Sequence, residues 1–123
     1  MTIAFACVLI AGLLPYVAAG IAKYGFKEFD NSNPRQWLAQ QTGFRARANA
    51  AQANTFESLP FFFVAVVIAA IAQAPQHRID ALAITYLLAR IVFIACYVAD
   101  WPTARSIVWL IGVASIVAIF FQI

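Results

Sequence analysis

The stretch that decides the fold is Arg45 to Pro60, which reads RARANAAQANTFESLP and leads into the apolar residues 61–72. The apolar run from Leu59 to Ala72 is shorter than the roughly twenty helical residues that cross a bilayer. The polar part of the segment must therefore enter the membrane as well. It carries Arg47, Gln52, Asn54 and Glu57. An ionisable side chain at that depth is costly and usually marks a site or a buried pair.

The composition places the whole chain in the membrane. Of its 123 residues, 64% are hydrophobic and 11% are charged, whereas soluble domains have about 25% charged residues. Because backbone groups in lipid must be paired internally, we predict an all-α integral membrane protein. The apolar stretches predict one domain, residues 1–123, in which short links join four transmembrane helices into an antiparallel bundle. We expect these helices at residues 2–24, 45–74, 79–99 and 103–122.

The distribution of Lys and Arg predicts the orientation. The second connection offers only Arg78, whereas five cations flank the first: Lys23, Lys27, Arg35, Arg45 and Arg47. The first and third connections should therefore be cytoplasmic, with both termini on the other side. This asymmetry accounts for the net charge of +3, so no nucleic-acid partner is indicated. The N-terminal stretch lacks a basic n-region and is expected to be a retained helix.

The two cysteines are expected to stay unpaired. Cys7 and Cys96 fall at depths that differ by very roughly 15 Å or more along their helices, which is beyond the reach of a disulfide. We interpret both as buried apolar thiols. No metal site is predicted.

One face of the second predicted helix carries its polar groups. At 100° per residue, seven positions lie within about 120° of one another. They are Arg47, Ala50, Ala51, Asn54, Glu57, Ser58 and Phe61. Such a narrow polar face is expected against other helices or a water-filled crevice rather than against lipid.

The third and fourth helices supply cations at matching depths. A rise of 1.5 Å per residue places Glu57, Tyr97 and Arg105 at one level, with Arg90 somewhat nearer the opposite side. We expect Glu57 to pair with Arg90 or Arg105, because a lone carboxylate beside lipid is hard to sustain. That pair could simply fix the helix register or could also border a ligand pocket. Asn54 could likewise serve an interhelical hydrogen bond, and Arg105 could be a headgroup anchor.

A longer pattern adds to this interpretation. Gln52-x-Asn54-x-x-Glu57-x-x-Pro60-x-Phe62 follows a basic run, and Tyr97, Pro102 and Arg105-Ser106 come later. The combination resembles the MAPEG family, the membrane-associated proteins in eicosanoid and glutathione metabolism. That family includes leukotriene C4 synthase and the microsomal glutathione transferases. The resemblance covers nearly the whole chain, and we expect a bacterial-type member in the inner membrane.

The resemblance implies a homotrimer that holds glutathione, as co-substrate, between subunits near the cytoplasmic leaflet. A lipophilic small-molecule substrate would enter from the membrane lipids. Four residues match glutathione-binding positions: Gln52, Asn54, Glu57 and Tyr97. To these we add Arg47, which lies one turn before Ala50 on the same face of the helix, and Arg90, the expected partner of Glu57. Arg105 matches the catalytic arginine that stabilises the thiolate. A thiol of pKa about 8.5 is a poor nucleophile at neutral pH, and a cation at a helix N-terminus favours its thiolate.

The sequence also departs from the family pattern. Ala50 stands where many family enzymes have an arginine, and Ala53 where some have a second. The loss of these clamps would weaken glutathione binding or change the ligand, unless Arg47 or Lys23 substitutes. The leading hypothesis is a glutathione-dependent transferase or peroxidase acting on lipophilic electrophiles or lipid hydroperoxides. The alternative is a non-catalytic lipid-binding or scaffold protein of the same fold. A small proton-coupled exporter is a third hypothesis, but it requires a carboxylate in the first helix, which has none.

Overall fold

The computed structural model of the chain describes residues 1–26 and 28–123, so Lys27 and its predicted place beside the first connection lie outside the described residues. The described residues form helices only: α1 (Ile3–Lys23), α2 (Pro34–Ala39), α3 (Gly43–Ile71), α4 (Gln76–Val98) and α5 (Pro102–Phe120). All except the short α2 are long and apolar enough to cross a membrane. The predicted all-α class with four membrane helices is confirmed, and the chain is an integral, multi-pass membrane protein.

Two sharp chain reversals define where α3 and α4 end, more exactly than hydropathy does. Gln73 and Asp100 both have a positive φ, of 56° and 62°. The residue after each donates back into its helix, from Ala74 N to Ala69 O at 3.0 Å and from Trp101 N to Cys96 O at 2.9 Å. This pattern is the Schellman motif, which uses the last carbonyls of a helix. Helix α3 therefore ends at Ile71, although the apolar composition had predicted a helix continuing to residue 74.

Polar bonds between helix ends show that the long helices alternate in direction. At one end of the bundle, the backbone N–H of Ala4 donates to Asp80 Oδ1 at 2.9 Å, so α1 and α4 start together. At the other end, Arg45 Nη1 donates to Ala22 O at 2.9 Å, so α3 starts where α1 finishes. We refer to these as the Asp80 end and the groove end. The α4–α5 connection also lies at the groove end.

The bundle is built on small residues inside and large apolar residues outside. Ala4, Ala11 and Ala18 recur every seven residues on α1 and are at most 1% exposed. Small side chains let membrane helices approach closely. In contrast, Leu9 and Leu110 are 56% and 61% exposed, as lipid-facing residues should be. Among the described residues, both cysteines are free and buried.

The first connection folds back over the groove end. Trp37 of α2 is buried, and its ring contacts Phe26 and Phe29 with centroids 4.9 and 5.0 Å away. The Arg45 guanidinium lies 4.5 Å from the Phe26 ring centre. Trp37 therefore packs inward and holds α2 against the bundle.

Candidate functional site

The main candidate site is a groove between α3, α4 and α5 at the groove end of the bundle. Its cavity measures about 430 Å³. It is lined by Asn54, Phe93, Tyr97, Arg105, Ser106, Trp109 and Leu110. We call it the Arg105 groove. Its lining combines aromatic and aliphatic side chains with polar ones.

Arg105 is positioned by the start of α5. Pro102 occupies the first turn of that helix, and the backbone N–H of Arg105 donates to Trp101 O at 2.9 Å. Its guanidinium lies 4.4 Å from the ring centre of Tyr97, which is a cation–π contact. The prediction that Tyr97 and Arg105 share one level is therefore confirmed. A cation at a helix N-terminus adds its charge to the helix dipole, so this corner favours anions.

A second arginine lies behind the groove. Arg90 is 2% exposed, and its Nη2 donates to Asn54 Oδ1 and to Thr55 Oγ1, both at 2.9 Å. Its guanidinium also lies 4.1 Å from the centre of the Phe93 ring. Within the described ranges, Arg90 Nε has no hydrogen-bond partner. The charge of Arg90 is thus held by neutral oxygens and an aromatic ring.

The predicted ion pair of Glu57 with Arg90 or Arg105 is wrong within the protomer. Glu57 is exposed, and it forms no salt bridge in the part of the chain that the structure describes. The physical reason is its direction around α3. Arg90 lies between the directions of Asn54 and Thr55, and Glu57 points about 110° away from that midpoint at 100° per residue. Its depth also differs from the prediction: Asn54 bonds Arg90 and Ser58 contacts Tyr86, so Glu57 lies level with residues 86–90 of α4 rather than with Tyr97.

Gln52 lies on the opposite side of α3 from Asn54, about 160° around the helix. It borders a second groove of about 280 Å³, which we call the Arg35 groove. That groove is lined by Arg35, Leu38, Asn49, Gln52, Ala53 and Phe56. Among residues 1–26 and 28–123, the buried Gln52 Oε1 has no hydrogen-bond partner. The protomer therefore separates two side chains that the sequence pattern had grouped as one set.

The remaining candidate cations are engaged near these grooves. Arg47 Nε donates to Val98 O at 3.1 Å, close to the end of α4. The Lys23 ammonium lies 4.8 Å from the Phe29 ring centre. Arg47 thus supports the helix that carries Tyr97, and Lys23 contacts the first connection.

The sequence interpretation did not predict two hydroxyl contacts between α3 and α4. Thr55 accepts from Arg90 and donates to Ala51 O at 2.7 Å. Ser58 Oγ lies 2.8 Å from the hydroxyl of the fully buried Tyr86. The position of Thr55 directly after Asn54 was the only available signal, because hydroxyls in helices often bond only to their own backbone.

The chemical character of the Arg105 groove follows from its lining. It has a partly exposed arginine, a buried arginine behind Asn54, and no acidic residue among its described lining residues. Such a site stabilises an anion, while Trp109 and Leu110 offer apolar contact. The described residues contain no cluster of three or more His, Cys, Asp or Glu side chains that could hold a metal ion.

Fold and site together define a polytopic membrane protein with a cationic groove at one end of a four-helix bundle. The model of the MAPEG family matches residues 3–123, essentially the whole chain, and the chain belongs to the MAPEG family. No curated protein and no solved structure matches it. The family membership predicted from the residue pattern is confirmed, and it indicates a glutathione-related function in the membrane.

Proposed function

We propose that this protein is a membrane-embedded, glutathione-dependent transferase or peroxidase that acts on lipophilic electrophiles or lipid hydroperoxides. The observation that carries the proposal is the Arg105 groove. There a cation near a helix N-terminus lines a cavity that has both polar and apolar side chains in its lining. Membership of the family indicates glutathione as the thiol, and the positive charge of the groove favours its thiolate form.

Arg105 is the catalytic residue in this proposal. A thiol with pKa about 8.5 is mostly protonated at neutral pH, and a fixed cation shifts the balance toward the thiolate. In the transferase reaction, the thiolate sulfur forms a bond to the electrophilic carbon as the leaving group departs with the bonding electrons. Tyr97 holds the Arg105 guanidinium from beneath, and Asn54 orients the peptide part of glutathione.

The ligand would be completed by a neighbouring copy of the chain in a homotrimer. Glu57 is exposed at membrane depth and Gln52 Oε1 lacks a partner within the described residues, so both need groups from outside the protomer. The two grooves lie on opposite sides of α3, and head-to-tail contacts that close into a ring would bring unlike faces together. The Arg35 groove of one subunit would then meet the Arg105 groove of the next.

Arg35 would replace one of the arginines that other family members have on α3 and this chain lacks. Ala53 lines the same groove as Arg35 and Asn49, so the cation that position 53 lacks is available from α2. Glutathione carries two carboxylates, and separate arginines on two subunits would bind one each. In this arrangement, Arg47 and Arg90 support the site without touching the ligand.

The lipophilic substrate would approach along α1. An apolar groove of about 520 Å³ opens at the same end of the bundle. It is lined by Val17, Gly20, Ile21, Tyr24 and Phe44. Its apolar surface suits a molecule dissolved in lipid, and the excess of Lys and Arg near the first connection supports a cytoplasmic location for this end.

The test is turnover by the purified protein in detergent. The wild type should conjugate glutathione to 1-chloro-2,4-dinitrobenzene with saturation in glutathione. The Arg105→Ala variant should lose about 100-fold or more of the rate, the effect of removing a group that stabilises developing charge. Arg78→Ala is the matched control, because Arg78 is an exposed arginine bonded to Gln122 at the Asp80 end.

A non-catalytic lipid-binding or scaffold role is the second candidate. Ala50 and Ala53 favour it, because they remove positive charge from α3. This candidate predicts that glutathione does not bind saturably and that Arg105→Ala changes no rate. A lipid that binds the apolar groove of α1 without turnover would be the positive observation in its favour.

A further inference from the structure

Asn54 faces both Arg90 and the Arg105 groove. Its Oδ1 accepts from Arg90 Nη2 at 2.9 Å, and the residue also lines the groove cavity. A guanidinium has five N–H donors and no acceptor. The amide oxygen of Asn54 must therefore face Arg90, and its NH2 group must point elsewhere. Hydrogen-bond chemistry fixes which way this amide is turned.

Arg90 is itself held in place from three sides. Its Nη2 also donates to Thr55 Oγ1, and the Thr55 hydroxyl donates its own proton to Ala51 O at 2.7 Å. Thr55 thus has only a lone pair to offer Arg90. The Phe93 ring lies 4.1 Å from the guanidinium, and a Cβ placed on Gly112 of α5 would be 4.0 Å from Arg90 Cδ. A side chain confined in this way cannot swing into the groove without losing these contacts.

We infer that Arg90 is a positioning residue that makes Asn54 a fixed hydrogen-bond donor toward the Arg105 groove. The donor order runs from Arg90 to Asn54 and from Asn54 to the ligand. Asn54 therefore recognises an oxygen acceptor, such as a carboxylate or peptide carbonyl of the thiol co-substrate. Arg90 acts through Asn54 rather than by contact with the ligand. The ligand part of this inference rests on the proposed function.

The kinetic test is a double-mutant cycle on the KM for glutathione. Asn54→Ala removes the donor and should raise KM about 10-fold, the usual effect of losing a hydrogen bond to a charged group. Arg90→Lys keeps the charge, but its ammonium ends one atom short of Nη2, the atom that donates to both acceptors. It should therefore raise KM by a similar factor with little change in kcat. In the Asn54→Ala background, Arg90→Lys should add nothing, because the two residues act in series. An equal increase in both backgrounds would overturn the inference.

Two further variants keep the test decisive if Arg90→Lys fails to fold. Thr55→Val removes one Arg90 acceptor at nearly constant shape and should raise KM about 3-fold. Ser115→Ala is its matched control, because Ser115 is a buried hydroxyl that donates to Ile111 O of its own helix, α5. An unchanged KM in Thr55→Val would count against the positioning role.

The orientation of Asn54 has a second readout that needs no ligand. Asn54→Asp places a carboxylate where the amide oxygen faces Arg90, so thermal unfolding should occur at the wild-type temperature or above it. At the same time, this variant should lose glutathione binding, because a carboxylate cannot donate. A large drop in unfolding temperature would show that the oxygen does not face Arg90. If the orientation holds but the wild type binds no glutathione, the proposed function and the ligand role of Asn54 both fail.

Discussion

The two carboxylates in the long helices, Asp80 in α4 and Glu57 in α3, differ in whether they have a partner within the chain. At the Asp80 end, Asp80 Oδ1 accepts from the backbone N–H of Ala4 and from Gln76 Nε2, so the first turn of α1 receives a negative partner. Glu57, at the middle of α3, has no ion pair within the described residues, and nearer the groove end Gln52 Oε1 has no hydrogen bond there. Asp80 is satisfied inside the chain, whereas Glu57 and the Gln52 oxygen have no such partner among the described residues. We therefore expect substitution of Asp80 to affect mainly stability and substitution of Glu57 or Gln52 to affect mainly binding.

The largest expected effect on folding comes from Asp80. Asp80→Ala removes the acceptor of the Ala4 N–H and should lower the free energy of unfolding by about 2 kcal/mol, as expected for hydrogen bonds to a charged group. The KM for glutathione should not change. Thermal unfolding in detergent measures the first effect and the conjugation assay the second. Asp80→Asn, which keeps an acceptor, should recover most of the stability.

Glu57 should show the reverse behaviour. Glu57→Gln should change the free energy of unfolding of the protomer by less than about 0.5 kcal/mol, as for a surface substitution, because Glu57 has no partner among its described residues. The KM for glutathione should rise about 10-fold, since a charged contact to a neighbouring subunit or to the ligand is lost. A large loss of protomer stability without any change in KM would erase the contrast between Asp80 and Glu57.

Substitution of Gln52 tests whether this residue lowers the stability of the fold while it contributes to glutathione binding. Gln52→Leu replaces an amide whose buried oxygen is unpartnered within the described residues. The protomer should become more stable by about 0.5 to 1 kcal/mol, because a desolvated acceptor is removed. Glutathione binding, followed by calorimetry, should weaken by about 5-fold. A less stable variant would mean that Gln52 serves the fold.

The smallest effect is expected at the polar contact between the two ends. Tyr86→Phe deletes the hydroxyl that meets Ser58 Oγ at 2.8 Å, while the ring stacked on Phe62 remains. The cost should be about 0.5 kcal/mol, because Ser58 can turn to the carbonyl four residues earlier. Thermal unfolding should therefore shift by little, and conjugation should be unaffected. A clear loss of conjugation activity in Tyr86→Phe would assign this pair to the site.

The helices could be predicted from the sequence because each apolar run must satisfy its own backbone in lipid. The end of α3 could not, since it depends on a positive φ at Gln73 rather than on hydropathy. The level of Tyr97 with Arg105 was predictable because only three residues join their helices. The depth of Glu57 was not, because α3 ends at Ile71 and α4 begins at Gln76, both earlier than hydropathy had predicted. Azimuth depends on how neighbouring helices rotate, so the partner of Arg90 was not predictable either. Thr55 gave no separate signal, because one hydroxyl serves both its backbone and Arg90.

The tight reversal at Asp100 has a consequence for turnover. Only residues 99–101 separate α4 from α5, so Tyr97 and Arg105 are fixed to two packed helices rather than to a loop. The thiol would meet a cation already in its working position, with no loop to be ordered first.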